Sequence, residues 1–139
     1  MEPISEQDLR ETKEKFKVFI DDSGILNLLF LANSKRGLSN LQTLMAKLMI
    51  DEVLEIYRQN PGKQCKVLVD LSVLDNLLNL SSESRKIYAA AAAHPQTGKI
   101  AAVGRRLFYK IAINFISRMS GRDLRWFEDR EKALEWLKK

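Results

Sequence analysis

Lys66-Val67-Leu68-Val69-Asp70-Leu71 is the stretch on which the fold turns. A nearly unbroken apolar run of this length, rich in β-branched valine, predicts a strand covered on both faces and therefore the middle of a sheet. Working back from it, Asn60-Pro61-Gly62 stops a helix that Ser39 or Asn40 caps. Leu41, Leu44, Met45, Leu48 and Met49 recur along that helix at a spacing near 3.6 residues, the signature of one buried face. Before the helix, Phe16 to Ile20 and Ile25 to Leu31 read as two strands joined by the turn Asp21-Asp22-Ser23-Gly24, a β-hairpin. Residues 1–14 are polar and read as a loose lead or a short helical arm, which leaves 15–139 as a single domain.

Forward of the central strand, Ser72 to Leu80 is a leucine-rich connection, and Ser81 or Ser82 caps a helix through the alanines 89–93. His94-Pro95 ends it. Lys99 to Val103 is a fourth strand, Arg105 to about Ser120 a helix, Leu124 to Phe127 a fifth strand and Glu128 to Lys139 a last helix. The order ββαβαβαβα predicts an α/β protein: a mixed five-stranded sheet with an N-terminal hairpin, right-handed crossovers, and about four helices packed against it.

The chain has 139 residues, 45% of them hydrophobic and 29% charged, enough for one core and unlike a disordered segment or a rod. One cysteine, Cys65, excludes an internal disulfide and a cysteine zinc cluster, and one histidine, His94, weakens any histidine triad or metal site. No apolar run reaches the roughly 20 residues that span a bilayer. The start, Met1 to Glu6, has neither the basic end nor the apolar stretch of a signal peptide, so a cytoplasmic location is expected. There is no P-loop and no dinucleotide glycine fingerprint, and no cofactor is expected.

Positive charge is concentrated between Lys99 and Arg125, where seven basic residues face Asp123 alone. Two readings stand: a patch for a polyanion, an acidic protein or anionic lipid, or a solvated helix face balanced elsewhere in the fold. No zinc-finger, helix-turn-helix or ribonucleoprotein motif supports nucleic-acid binding. Trp126 and Phe127 are neighbours on one strand and fall on opposite faces, so at most one could join a base-stacking platform. Cys65 reads as a small buried filler, and His94 as a partly exposed residue at a helix end.

Two segments carry a likeness. Lys99-Ile-Ala-Ala-Val-Gly-Arg-Arg-Leu-Phe-Tyr to Ser120, continued by Leu124 to Leu137 with the ending F-x-D-x-x-x-A-x-x-W-L from Phe127, resembles the C-terminal half of bacterial SpoIIAA-like proteins of the STAS and SEC14-like type. Val67-Leu-Val-Asp-Leu-Ser72 is similar to the central strand of the anti-sigma-factor antagonists among them. The resemblance implies the same fold after about residue 14, and a non-enzymatic protein-interaction or ligand-sensing module. The antagonist branch implies a regulatory serine, phosphorylated by a partner kinase, at the start of the helix after the central strand. Here Leu80-Ser81-Ser82-Glu83-Ser84-Arg85 stands where that branch carries Asp-Ser-Ser/Thr-Gly, which makes Ser81, Ser82 and also Ser72 the candidates. The SEC14-like branch implies instead a small-molecule or lipid ligand.

The fold expected from these elements gathers Asp70, Ser72, Ser81, Ser82 and Arg105 at the carboxyl edge of the sheet, where open α/β sheets commonly bind ligands. Gly104 precedes a predicted helix start, whose free N–H groups suit an anion, and Arg105 and Arg106 sit at that positive helix end, where an anion would compensate them. An internal carboxylate such as Asp70 or Asp129 could do the same. The partner is thus a protein, an anionic group or an apolar small molecule. Tyr109 and Ile113, with Leu77-Leu78, supply apolar surface for a homodimer.

Overall fold

The computed structural model describes residues 4–32, 39–73, 81–104 and 123–139. Helix α1 (Glu6–Lys13) is followed by strands β1 (Phe16–Ile20) and β2 (Leu26–Phe30), helix α2 (Ser39–Gln59), strand β3 (Cys65–Asp70), helix α3 (Ser82–Ala92), strands β4 (Thr97–Val103) and β5 (Leu124–Phe127), and helix α4 (Arg130–Lys138). The sheet runs β1-β2-β3-β4-β5, so the valine-rich strand is central, as its composition requires. β1 and β2 pair antiparallel, while β2, β3, β4 and β5 pair parallel in succession.

The hairpin turn is held by one carboxylate. Asp21 Oδ1 accepts from the N–H groups of Ser23 and Ile25 at 2.9 and 3.0 Å, while Gly24 takes the positive φ of 80° that the turn needs. The second strand is therefore one residue shorter at each end than its apolar run. Ile25 spends its N–H on Asp21, and Leu31 donates to the Lys15 carbonyl. The lead forms a helix because Ser5 and Asp8 make a reciprocal capping box, with Ser5 Oγ accepting from Asp8 N at 3.0 Å and Asp8 Oδ2 from Ser5 N at 3.1 Å. The last helix starts at Arg130, two residues later than its acidic run suggested, because Asp129 serves as N-cap to Glu131 N.

Alternation along the strands divides the core. Leu26, Leu28, Val67, Ile100 and Ala102 face α2 and α3, together with Met49, Val53, Tyr57 and Ala92. Ile25, Leu68, Ala101 and Val103 face the other way, onto Ala133 and Leu137 of α4. Trp126 and Phe127 part company as expected, the first joining the α2–α3 side and the second the α4 side. The predicted helix from Arg105 to Ser120, the Ser72 to Leu80 connection beyond Val73, and the apolar residues named for a dimer lie outside the described residues.

Candidate functional site

On the α2–α3 side the packing is incomplete. A cavity of about 100 Å³ lies between the sheet and the two helices. Its floor is built from alternate residues of the parallel strands, among them Leu28, Val69, Ile100 and Ala102, with Leu124 of β5 at its margin. Its roof is Ile50, Val53 and Tyr57 of α2 and Tyr88, Ala91 and Ala92 of α3. The space exists because the alanine run that makes α3 a strong helix offers only methyl groups to the sheet, and Ala102 answers it with another.

Two tyrosine hydroxyls sit in this lining under different conditions. Tyr57 Oη is 2.8 Å from Thr97 Oγ1, which itself donates to the Ala91 carbonyl at 2.8 Å, so the tyrosine donates and the relay is closed. The Tyr57 ring also stacks on His94 at 4.9 Å, and His94 Nδ1 accepts from Gln96 N at 3.1 Å. Tyr88, by contrast, donates among the described residues only to the thioether of Met49, 3.8 Å away, and its apolar surroundings push the phenol well above its ordinary pKa. Cys65 is buried, and burial outweighs the pull of Lys63 to raise its thiol pKa, as a filler role requires.

The opposite side of the sheet is wired by charge. Asn27 is fully buried and donates to Asp21 Oδ2 at 3.0 Å and to the Ile25 carbonyl at 2.9 Å, while its Oδ1 accepts from Arg130 Nη2 at 2.9 Å. Arg130 Nη1 reaches Asp70 Oδ2 at 2.8 Å, and Asp70 Oδ1 accepts from both the N–H and the hydroxyl of Ser72. Burial works against ionisation of Asp21, but the bonds from Asn27, Ile25 and Ser23 and the charge of Lys138 prevail and hold its carboxyl below the usual range.

The residues singled out from the sequence are therefore divided. Asp70 and Ser72 belong together, on the α4 side. Ser81 is instead the N-cap of α3, accepting from Ser84 N at 3.0 Å and sharing hydrogen bonds with Ser84 Oγ and with Thr43 Oγ1 of α2. Ser82 is exposed in the first turn of that helix. Gly104 does not present a free N–H to an anion, because it donates to the Phe127 carbonyl at 3.1 Å. What requires glycine there is Trp126, whose ring would clash with any added Cβ. Arg105 and Arg106 lie outside the described residues. Of the two carboxylates considered for them, Asp70 is paired with Arg130 and Asp129 caps α4.

Asn27 and Arg130 were not singled out. Asn27 hides inside an apolar strand, and its partner is 103 residues away. Arg130 carried a usable signal, since a cation in the first turn of a helix opposes the macrodipole unless a carboxylate meets it. In the basic stretch, half-buried Lys99 and exposed Arg125 both lie 5.1 Å from the Trp136 ring, so these two cations are met by an aromatic face at the surface. Among the described residues no three His, Cys, Asp or Glu side chains gather as a metal site, and no helix is long and apolar enough to cross a membrane.

Comparison with known proteins agrees with this architecture. The SpoIIAA-like family matches the chain over residues 2–138. An uncharacterised protein of Shewanella loihica with a SpoIIAA-like fold superposes with a TM-score of 0.62 at 14% identity, covering 88% of this chain and 91% of its own. At that identity the likeness speaks for the fold. No curated protein matches.

Proposed function

The chain belongs to the SpoIIAA-like family, and from that premise we propose that it is a non-enzymatic regulatory module that senses a small apolar ligand between its sheet and helices α2 and α3. The observation that carries this reading is the cavity of about 100 Å³ with its almost wholly apolar wall. Apolar cavities of about 150 Å³ stay dry and take up benzene-sized guests. Ligand pockets for drug-sized molecules run from about 300 Å³ upward, so a whole lipid does not fit without movement of the helices.

The absence of an enzymatic role is supported by how the reactive groups are spent. The Cys65 thiol is buried and raised in pKa, His94 is stacked and hydrogen-bonded, and the Ser81 hydroxyl caps a helix. The test is a benzene titration followed by methyl NMR. Shifts are expected at Leu28, Val69 and Ile100 and none at Leu137 on the other side of the sheet. No saturable shift at the cavity methyls, or equal shifts on both sides, overturns the reading.

A second reading, docking of a protein at the carboxyl edge of the sheet, is favoured by Leu31 and Val73. They follow parallel strands at that edge and are 50% and 52% exposed. Under it, Leu31→Ser with Val73→Ser abolishes partner binding and leaves benzene uptake untouched.

A further inference from the structure

The wall of the cavity says more about its occupant than that it is small and oily. Among the described residues every lining side chain is uncharged, and the three that carry hydroxyls are Tyr57, Tyr88 and Thr97. A carboxylate or ammonium head would enter with no counter-charge in the lining, and an unpaired charge in such surroundings is strongly unfavourable. Tyr57 and Thr97 have no donor proton to spare, because their relay ends on the Ala91 carbonyl. Tyr88 is the exception. Its only hydrogen-bond partner among the described residues is the Met49 sulfur at 3.8 Å, and a thioether is a weak acceptor.

A tyrosine hydroxyl in apolar surroundings ordinarily finds an oxygen or nitrogen partner, because an unmet donor forfeits the hydrogen bond it would keep in water. The ring of Tyr88 is held edge-on to Phe30 at 6.3 Å, so the hydroxyl is supported from one side by packing while its donor capacity stays underused. We propose that the cavity selects an uncharged ligand of about the size of benzene with one hydrogen-bond acceptor, and that Tyr88 Oη–H supplies the bond to that acceptor. This rests on the ligand-sensing reading of the same cavity. A tyrosine hydroxyl is protonated at neutral pH, and the apolar surroundings push its pKa further up, so it acts as a donor and not as a charge.

The test compares cyclohexanone, methylenecyclohexane and cyclohexanecarboxylate by calorimetric titration of the wild-type chain and of Tyr88→Phe. The first two have the same shape and differ in whether a carbonyl oxygen or a methylene group ends the exocyclic double bond. Both are expected to bind wild type, and the carboxylate is not. Tyr88→Phe is expected to weaken cyclohexanone about fivefold, the scale of one neutral hydrogen bond, while methylenecyclohexane stays within about twofold. Retained methylenecyclohexane binding also reports that the variant is folded. An equal effect of Tyr88→Phe on both neutral probes, including loss of both, or preference for the carboxylate, overturns this inference and leaves the cavity as a ligand site. If neither neutral probe binds wild type, the sensing reading itself fails.

Discussion

Ala101 and Ala102 are consecutive in β4, both essentially inaccessible, and they look into different kinds of interior. Ala101 packs on Ala133 and Leu137 of α4, on the side where Asp21, Asn27, Arg130, Asp70 and Ser72 are bonded in series. Ala102 borders a cavity whose wall holds an underused hydroxyl. The α4 side has these polar groups paired across the sheet; the α2–α3 side keeps room and a donor met by a thioether. A sheet two residues thick in sequence thus separates a fastened half from a receptive one.

The comparison can be broken most severely at Asn27. Asn27→Leu strips partners from Arg130 and Asp21 at once, and a loss of about 3 kcal/mol in urea unfolding is expected for orphaned charged and buried groups. A loss below about 1 kcal/mol would mean that the chain of bonds does not fasten α4. Next comes the alanine pair. Ala101→Val is expected to cost about 2 kcal/mol by overpacking, whereas Ala102→Val, entering free space, changes stability by less than about 0.5 kcal/mol and weakens benzene uptake. Equal costs at the two positions would erase the distinction between the faces.

Within the receptive half, Tyr57→Phe should cost about 1 kcal/mol for the lost bond to Thr97, while Tyr88→Phe, which gives up only a sulfur contact, stays near neutral. The smallest effect concerns acid. Asp21 has a folded pKa below its unfolded one, so its contribution is complete above about pH 4 and is lost as pH falls through the folded value. Asp21→Asn should flatten that part of the acid limb of a stability-against-pH curve, and an unchanged limb would assign the acid sensitivity elsewhere.

The strands were legible because each repeats a short-range rule. Phe16–Ile20 and Leu124–Phe127 begin and end where their alternation does, and the apolar run at Val67 places β3 in the centre. Helix starts were legible where a cap sits beside the apolar stripe, as at Ser81, and less so at α4, where Glu128 and Asp129 both look like first-turn acids until one of them turns outward as the cap. The site was harder to read. A bond between Asn27 and Arg130 has no sequence period, and a cavity is the absence of side-chain volume, for which Ala91, Ala92 and Ala102 are the only written trace. The serines drew attention as hydroxyls, yet at Ser81 the hydroxyl serves the backbone of its own helix.

The chain has two tryptophans, and they lie on opposite sides of the sheet, Trp126 by the alternation of β5 and Trp136 because it stands on α4. Trp126 lies across Gly104 on the side of the cavity, two residues beyond Leu124 in its margin; Trp136 is flanked by Lys99 and Arg125 on the side of α4. Each indole is consequently an intrinsic fluorophore assigned to one half of the molecule. With Trp136→Phe the remaining emission reports on the packing of the α2–α3 side, and with Trp126→Phe on the docking of α4, so the two halves can be watched separately, in real time and without an attached dye.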